Sequence, residues 1–354
     1  MAITLHDKYA KQISTMFTTQ SLISGLLSNE YDWSGVKTVK VMTPQTVPMN
    51  DYTRTGANRY GSPVEMQDIV QEMTLTQDKS FALTIDKGNN ADQNGLKAAG
   101  KMLKLQLAER AVPTMDKYVF EQLAQLAGTV VGNSTALAKN TVCDRISEGT
   151  QVLDDGEVPQ EGRTLFVSNA TYKLLKHSDE FLGIDKLGEK ALAKGQVGEY
   201  DNMKVVKVPS GRWPANVNFM IVYKNSATAP VKLNDTRVHQ DPPGISGNLL
   251  EGRQYYDCFV FGPKAVGIYV EVNTGSGKGT VCSGPSIAEA TGAITVGTTG
   301  ATVKYTTDGT DPRYSNTAKV GTQADVTGEG VVVKAYEYKA GCYPSVVEEA
   351  TLTA

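Results

Sequence analysis

Hydrophobic and polar positions alternate in several different ways along this chain, and residues 163–223 show the most varied pattern. Short apolar runs predict strands at Thr164 to Val167, Met203 to Val208 and Phe219 to Tyr223, while the turn pattern of Asn169 to His177 predicts a helix. The stretch between the helix and the second strand is predicted to be an exposed loop, punctuated by Gly183, Gly188, Gly195 and Gly198. This order predicts a compact α/β unit.

The longest helical pattern lies between residues 88 and 128. Asn90 or Asp92 is the expected N-cap and Gly128 the expected stop, and Pro113 predicts either a kinked helix or two consecutive helices. The whole element would span on the order of 50 Å. Its apolar stripe follows three- and four-residue steps through Leu96, Ala99, Leu103, Leu107, Ala111, Met115, Val119, Leu123 and Leu126.

Residues 31–86 instead form two extended runs on either side of a polar segment. They predict a long two-stranded ribbon with a tip near residues 50–62. An isolated ribbon is marginally stable in water, and its edges expose unpaired backbone groups, so we expect a neighbour to cover it. Two further strands are predicted at Tyr255 to Phe261 and Ala265 to Val272, turning at Gly262-Pro263 and completing a sheet beside the long helix.

The two ends of the chain have patterns of their own. Near the start, Tyr9, Ile13, Met16 and Phe17 stand at helical spacing, which fits either an arm that packs on another body or an ordinary first helix. Near the end, residues 273–279 have the composition of a flexible linker. Residues 280–354 are rich in Thr, Gly and Val, and their short strands at regular spacing predict a β-sandwich.

Composition narrows the classes of function. A chain of 354 residues with 40% hydrophobic residues can fold into two or three domains, and a formal net charge of −3 argues against sequence-directed DNA binding. The first residues lack the apolar core of a signal peptide, and no run of apolar residues is long enough to span a membrane, so we expect a cytosolic protein. The four cysteines lack the Cys-x-x-Cys spacing of zinc or redox sites.

The candidate chemistry is sparse. Three histidines, His6, His177 and His239, lie in separate segments; a solvated side chain is expected for His177, and His239 has no obvious acidic partner in fixed register. The neighbouring carboxylates Asp154 and Asp155 are predicted to be solvated surface groups. Turn chemistry explains Asp308, Asp311 and Asp325 better than calcium binding does. We therefore predict no enzyme, no cofactor and no metal site.

The order of elements in the α/β unit, with the run Gly195-x-x-Gly198-x-x-Asp201-x-x-x-Val205-Val206, resembles the axial domain of tailed-bacteriophage major capsid proteins, which have the Hong Kong 97-type shell fold. The resemblance covers about residues 1–272. It implies that the ribbon is the family's E-loop, which lies across an adjacent subunit, and that the long helix is the spine helix. Subunit-contact candidates are then Asp51, Arg54, Arg59 and Tyr60 near the tip and Lys79 on the return leg.

A second resemblance concerns the C-terminal module. The strings YTTDGTDPRYS and VVVKAYEYKAGCYPS are similar to the C-terminal immunoglobulin-like module of chitobiase and related hexosaminidases. This implies a decoration domain on the outside of a shell, with an exposed turn at Asp308, Gly309 and Asp311.

Together these patterns predict an α+β capsid fold with an added β-sandwich. The predicted parts are an N-terminal arm (1–30), the E-loop region (31–87), a peripheral domain with the spine helix (88–140 and 236–272), an axial domain (141–235), a linker (273–279) and an immunoglobulin-like decoration domain (280–354).

The function that this implies is a major capsid protein that self-assembles, as pentamers and hexamers, into an icosahedral shell around phage double-stranded DNA. The implied partners are other copies of the chain, a separate scaffolding protein and a portal, with a surface ligand or glycan as a candidate for the C-terminal module and no membrane. The implied location is the virion, assembled in the bacterial host cytoplasm. An encapsulin-like nanocompartment and an extracellular carbohydrate-binding or adhesive protein remain open as alternatives, and a soluble hydrolase comes last.

Overall fold

The computed structural model describes residues 20–31, 33, 37–44, 46, 49–63, 65–66, 68–92, 97–178, 196–324 and 328–353. Several sequence predictions lie outside these ranges: the amphipathic segment with Tyr9, Ile13, Met16 and Phe17, the glycines Gly183, Gly188 and Gly195, and also His6, Leu96 and Asp325.

The first two strands form the predicted ribbon. Strand β1 (Thr38–Pro44) and strand β2 (Asp68–Thr74) pair antiparallel along their whole length, from Thr38 opposite Thr74 to Pro44 opposite Asp68. The return leg is shorter than predicted, because the next strand, β3 (Gln77–Asp86), belongs to another sheet. The chain turns away where Leu75 is fully buried and where the Thr76 amide and hydroxyl both donate to the Asp257 carboxylate.

The long helix begins later than predicted. A short helix, α1 (Lys87–Asp92), comes first, and its Asn89 amide donates to the Asp86 carboxylate. Helix α2 (Ala99–Gln106) starts after Ala98, which provides no side-chain cap. The predicted N-caps Asn90 and Asp92 are therefore wrong, because both residues belong to the separate first turn.

One helical run then continues through Pro113. A π-helical turn (Leu107–Ala111) joins α2 to helix α3 (Val112–Gln125), and the whole run is about 40 Å long. Proline has no N–H to donate, and the wider turn lies immediately before it. The Thr114 hydroxyl donates to the Arg110 carbonyl at 2.7 Å, which supplies that carbonyl with a partner. Of the two predicted outcomes, the structure thus favours a single continuous helical run over two separate helices.

The α/β unit contains the predicted strands and helix in the predicted order. Residues 196–200, predicted as the end of an exposed loop, instead form a strand, and a strand and a helix that precede the predicted elements are additional to the prediction. Its elements are β4 (Thr129–Asn133), α4 (Val142–Asp155), β5 (Arg163–Ser168), α5 (Asn169–Lys176), β6 (Gln196–Tyr200), β7 (Met203–Val208) and β8 (Val217–Tyr223). Ser168 caps α5 by accepting from the Thr171 amide at 3.0 Å. Asp201 and Asn202 take positive φ in the two-residue turn between β6 and β7, which explains why a polar pair stands there.

The remaining strands of this part are β9 (Ala227–Thr228), β10 (Val231–Gln240), β11 (Gly247–Tyr256), β12 (Phe259–Val260) and β13 (Ile268–Asn273). Strand β13 joins a six-stranded central sheet in the order β4-β13-β8-β5-β7-β6. The prediction that residues 265–272 complete a sheet beside the spine together with residues 255–261 is wrong. A 3-10 turn at Gly262–Gly267 separates the two segments, and β13 inserts between β4 and β8 instead.

The central sheet is covered on both faces. Helix α3 packs Val119, Phe120 and Leu123 onto one face, against residues such as Phe166 and Met220. On the other face α4 and α5 pack against a second set of sheet residues. Strands covered on both faces are continuously apolar, which is why β5, β8 and β13 have almost no exposed residues.

A three-stranded antiparallel sheet, in the order β10-β11-β3, lies apart from the central sheet. Its strands are ten residues long, yet most side chains of β3 and β10 are exposed or half-buried. Leu83, Val231 and Val238 expose 39%, 45% and 39% of their surface, respectively. This sheet therefore has little core of its own.

The C-terminal part contains the predicted antiparallel strands: β14 (Ser286–Ile287), β15 (Ile294–Thr295), β16 (Thr302–Thr306), β17 (Lys319–Val320), β18 (Val332–Tyr338) and β19 (Glu348–Thr351). They form a two-stranded sheet, β14-β15, and a four-stranded sheet, β17-β16-β18-β19. The two enclose a core that includes Ile294, Val333 and Leu352. The immunoglobulin-like topology stays a prediction.

Residues 273–279 are not a free tether. The Asn273 amide donates to the Asn216 carbonyl at 2.8 Å, the Thr274 amide to the Asn133 carbonyl at 2.9 Å, and the Gly279 amide to the Asn273 carbonyl at 3.1 Å. The segment is therefore held against the ends of the central sheet, although its composition predicts flexibility.

Candidate subunit-contact surface

The base of the ribbon is attached to the body of the protein. Val41 and Met73 are buried in a small cluster with Trp33, Leu75 and Phe261. The Gln71 side chain forms two hydrogen bonds with the body, as a donor to the Val260 carbonyl at 2.9 Å and as an acceptor from the Gly262 amide at 2.9 Å. These contacts fix where the ribbon leaves the body.

Among the described residues, the hydrogen bonds and ring contacts of the ribbon tip, residues 49–63, are local. The Thr53 amide donates to the Arg59 carbonyl at 3.1 Å, and the rings of Tyr52 and Tyr60 meet edge to face with centroids 5.0 Å apart. Gly56 and Gly61 take positive φ in the tight turns of this segment. The tip thus has a defined local shape but contributes nothing to the main cores.

The predicted contact residues Asp51, Arg54, Arg59 and Tyr60 all lie on this tip and are exposed. Within the part of the chain that the structure describes, the Asp51 and Arg54 side chains have no hydrogen-bond or ion-pair partner. The Arg59 Nε donates only to the nearby Gly56 carbonyl, at 3.2 Å. Both guanidinium groups can therefore still offer two-pronged hydrogen bonds to a carboxylate of another molecule. Their role as subunit contacts stays a prediction.

Lys79 lies elsewhere. It stands on β3 opposite Gln254 of β11, and it lines a cleft of about 240 Å³ between the three-stranded sheet and the helical run, together with Phe81, Arg110 and Tyr256. Its predicted place on the return leg of the ribbon is wrong, because that leg ends at Thr74.

The charged tip residues were found from the sequence, but the exposed apolar side chains of the ribbon were missed. Met49 is 99% exposed, and Met42 and Met66 are 62% and 67% exposed. The alternation of β1 would have indicated Met42, since it points to the face opposite the buried Val41. Flexible methionines on an exposed ribbon suit a surface that adapts to a partner.

The C-terminal turn is exposed only in part. Asp308 is exposed and accepts hydrogen bonds from the Thr310 amide and the Thr310 and Thr317 hydroxyls. Burial opposes the ionisation of Asp308, but these hydrogen bonds outweigh it and lower the pKa of its carboxyl. Asp311 is half-buried, and it accepts from the Arg313 amide at 2.9 Å and from the Arg313 Nη2 at 2.7 Å. Side-chain hydrogen bonds to residues two positions on thus fit the predicted turn chemistry at both Asp308 and Asp311, but Asp308 is more exposed than Gly309 and Asp311, which are half-buried.

The described residues bring no catalytic group together. His177 is an exposed residue at the end of α5. His239 does have an acidic partner, contrary to the sequence prediction: its Nε2 lies 3.1 Å from Glu251 Oε2 across β10 and β11, at an exposed position. No cluster of three or more metal-ligating side chains occurs in the described ranges, and no described helix is long and apolar enough to cross a membrane.

Comparisons with known proteins find relatives by structure alone. No family profile matches the sequence, and no curated protein is similar to it. A protein of Mycobacterium phage Che8 superposes with a TM-score of 0.62 at 18% identity, over 78% of this chain and 100% of that one. The capsid of cyanophage P-SCSP1u superposes with a TM-score of 0.60 at 13% identity, over 77% of this chain and 93% of that chain.

A third similar structure is the mature capsid of bacteriophage PhiM1, with a TM-score of 0.57 at 11% identity, over 77% of this chain and 92% of that one. At such low identities these matches establish the fold and nothing finer. The resemblance to phage capsid proteins is thus confirmed at the level of the fold, and this chain has the fold of a phage shell protein over about three quarters of its length.

Proposed function

We propose that this chain is the major capsid protein of a tailed double-stranded DNA phage, and that it assembles with copies of itself into an icosahedral shell. The observation that carries the proposal is the ribbon: its base is fixed by buried contacts, while its tip exposes Met49, Tyr60 and unpaired charges in a chain that has the fold of phage capsid proteins. A long exposed ribbon with apolar side chains is unfavourable in an isolated monomer and is stabilised when a neighbouring subunit covers it.

In this proposal the parts have separate roles. The ribbon is the E-loop, α2 and α3 form the spine helix, the three-stranded sheet belongs to the peripheral domain, and the central sheet with α4 and α5 forms the axial domain that meets its copies in pentamers and hexamers. Many weak contacts in a closed symmetric shell can together give a stable particle.

The charge, location and partners of the protein fit the same proposal. The net charge of −3 suits a shell that encloses DNA without reading its sequence. The protein acts in the virion, is assembled in the host cytoplasm with a separate scaffolding protein and a portal, and carries out no chemical reaction. Residues 280–354 form a domain on the outer surface, with a ligand or glycan as its candidate partner.

Electron microscopy of the purified full-length chain, expressed alone and with a scaffolding protein, tests this function. Regular shells or rings of capsomers are expected. A protein that stays monomeric under both conditions and hydrolyses a glycan would replace the proposal with the hydrolase alternative.

A further inference from the structure

The C-terminal module makes its most buried polar contacts with the end of the spine helix. Arg313 Nη1 donates to the Ala127 carbonyl at 2.7 Å and to the Gly128 carbonyl at 2.9 Å. The Tyr314 hydroxyl donates to the Leu126 carbonyl. The carbonyl of Leu126, the C-cap of α3, and the next two carbonyls beyond the helix therefore have donors from a segment almost two hundred residues later in the chain.

The Leu126 carbonyl, at the C-cap of the helix, needs such a donor. The last carbonyls of a helix have no intrahelical partner, and the helix end has a partial negative charge that favours a cation. A glycine in the left-handed conformation often closes a helix, but Leu126 ends α3 with φ −107°. Gly128 serves another purpose, since a Cβ there would lie 2.2 Å from the Ala265 carbonyl oxygen. The helix end is therefore closed by the module instead of by its own sequence.

Arg313 is held rigidly in this position. Its side chain is only 7% exposed, and its Nε and Nη2 both donate to the Asp311 carboxylate. The guanidinium also lies over the Tyr314 ring, 5.5 Å from its centroid. A buried arginine with a bound carboxylate and two acceptor carbonyls is a built contact, because moving it would leave a charge without partners.

The same loop also reaches the base of the ribbon. The Tyr314 side chain packs against Gly262, where an added Cβ would lie 3.2 Å from the Tyr314 Cβ, and the Gly262 amide is bound by Gln71 of β2. The Asn316 Nδ2 lies 3.4 Å from the Val70 carbonyl on β2. On the other side of the module, the Tyr343 hydroxyl donates to the Ala215 carbonyl at 2.6 Å.

We propose that the C-terminal module is a built-in clamp that closes the end of the spine helix and sets the direction of the ribbon. A decoration domain on a flexible tether could be removed with little effect on the subunit beneath it. This module is instead part of the subunit's fold, so the shape that a subunit presents to its neighbours depends on it. The consequence for assembly rests on the proposed capsid function, whereas the clamp itself does not.

Hydrogen exchange measured by mass spectrometry on the full-length, unassembled chain tests the clamp. Arg313→Ala should raise exchange about tenfold in peptides that cover the end of α3 and the strand β2, because Arg313 anchors the loop whose Tyr314 and Asn316 contact these two regions. Lys339→Ala is the matched control: it also removes a positive charge, but its hydrogen bond, to the Thr299 carbonyl at 2.8 Å, lies within the module. The control should leave those peptides unchanged.

A second variant separates the clamp from a general loss of folding. Tyr314→Phe removes only the hydroxyl that reaches Leu126, so it should raise exchange at the end of α3 while β18 stays protected. If β18 also loses protection in Arg313→Ala, that variant has unfolded the module itself. The exchange measured in Tyr314→Phe then tests the clamp alone. Unchanged exchange at the end of α3 in Tyr314→Phe, with β18 intact, would overturn the clamp.

The assembly consequence is tested with the full-length Arg313→Ala chain, compared with the native chain by electron microscopy. The variant should form far fewer regular shells than the native chain under the same conditions, while Lys339→Ala should match the native chain. Shells at the native yield from Arg313→Ala would overturn the assembly consequence and leave the proposed capsid function intact, whereas a native chain that never assembles counts against the capsid function alone.

Discussion

The central sheet and the ribbon are both built from short strands, yet they differ in how their side chains are covered. In β5 five of six residues are buried, since helices lie on both faces of the sheet. In β1 one residue of seven is buried, and the tip beyond it has no core at all. The comparison indicates that the central sheet is covered within one chain, whereas the ribbon leaves most of its side chains exposed, as the proposed contact with a second copy requires.

The largest expected effect of a mutation lies in the central sheet. Phe166 is fully buried, and its ring meets that of Phe120 at a centroid distance of 5.2 Å. Phe166→Ala should lower the free energy of unfolding by about 3–5 kcal/mol, because it leaves a cavity between sheet and helix. Denaturant unfolding of the unassembled chain measures this loss. Phe81→Ala, on the half-exposed strand β3, is the matched control and should lower the free energy of unfolding by less. Equal losses in the two variants would contradict the difference in burial between the central sheet and the exposed strands.

A smaller effect, which depends on pH, is expected at Glu271 on β13. Burial raises the pKa of this carboxyl from its usual 4.5, against the opposing influence of Asn218 and Arg145. A carboxyl whose pKa is higher in the folded chain favours folding while it is protonated. The stability it contributes is therefore full below pH 4.5 and is lost as the pH rises through the folded value.

The variant Glu271→Gln should remove this dependence. Its thermal midpoint should fall less steeply than that of the native chain as the pH rises from 4.5. The exposed Glu349→Gln serves as the control and should follow the native curve. Parallel curves for the native chain and Glu271→Gln would show that the carboxyl has no raised pKa in the folded protein.

The smallest effect on subunit stability is expected at the ribbon tip. Tyr60 is 85% exposed and touches only Tyr52 among the described rings. Tyr60→Ala should change the free energy of unfolding by no more than about 0.5 kcal/mol while reducing the yield of particles. Denaturant unfolding and particle counts on the same preparation provide both numbers. A large loss of stability would place the tip inside the subunit's own fold.

The sequence predicts the bounds of an element best where the local pattern of residues and their burial indicate the same structure. Strand β7 has the predicted bounds, Met203 to Val208, since its alternation and its turn residues indicate the same structure. The spine was found from its apolar stripe, but its start was wrong because Asp86, not Asn90 or Asp92, caps the first turn. Local pattern cannot fix which strands pair, so β3 and β13 were assigned to the wrong neighbours.

The residues of the contact surface could be predicted only in part, again because a local pattern does not show contacts between distant segments. Polar and charged tip residues between two extended runs indicate an exposed turn, which identified Asp51, Arg54, Arg59 and Tyr60. Lys79 was misplaced because the turn at Leu75 depends on Asp257, a residue distant in sequence. The contact of Arg313 with the spine has no local signal at all, because its acceptors are backbone carbonyls, which every residue has.

Deletion of Asn50 to Ser62 is the direct test of whether the ribbon tip is needed for contact with other copies of the chain and not for the fold of the subunit. Stability and assembly are measured together, by denaturant unfolding of the subunit and by electron microscopy of its particles. We expect a subunit that unfolds at the native midpoint and forms no closed shells. Shells of native size and yield, or a subunit that no longer folds, would contradict it.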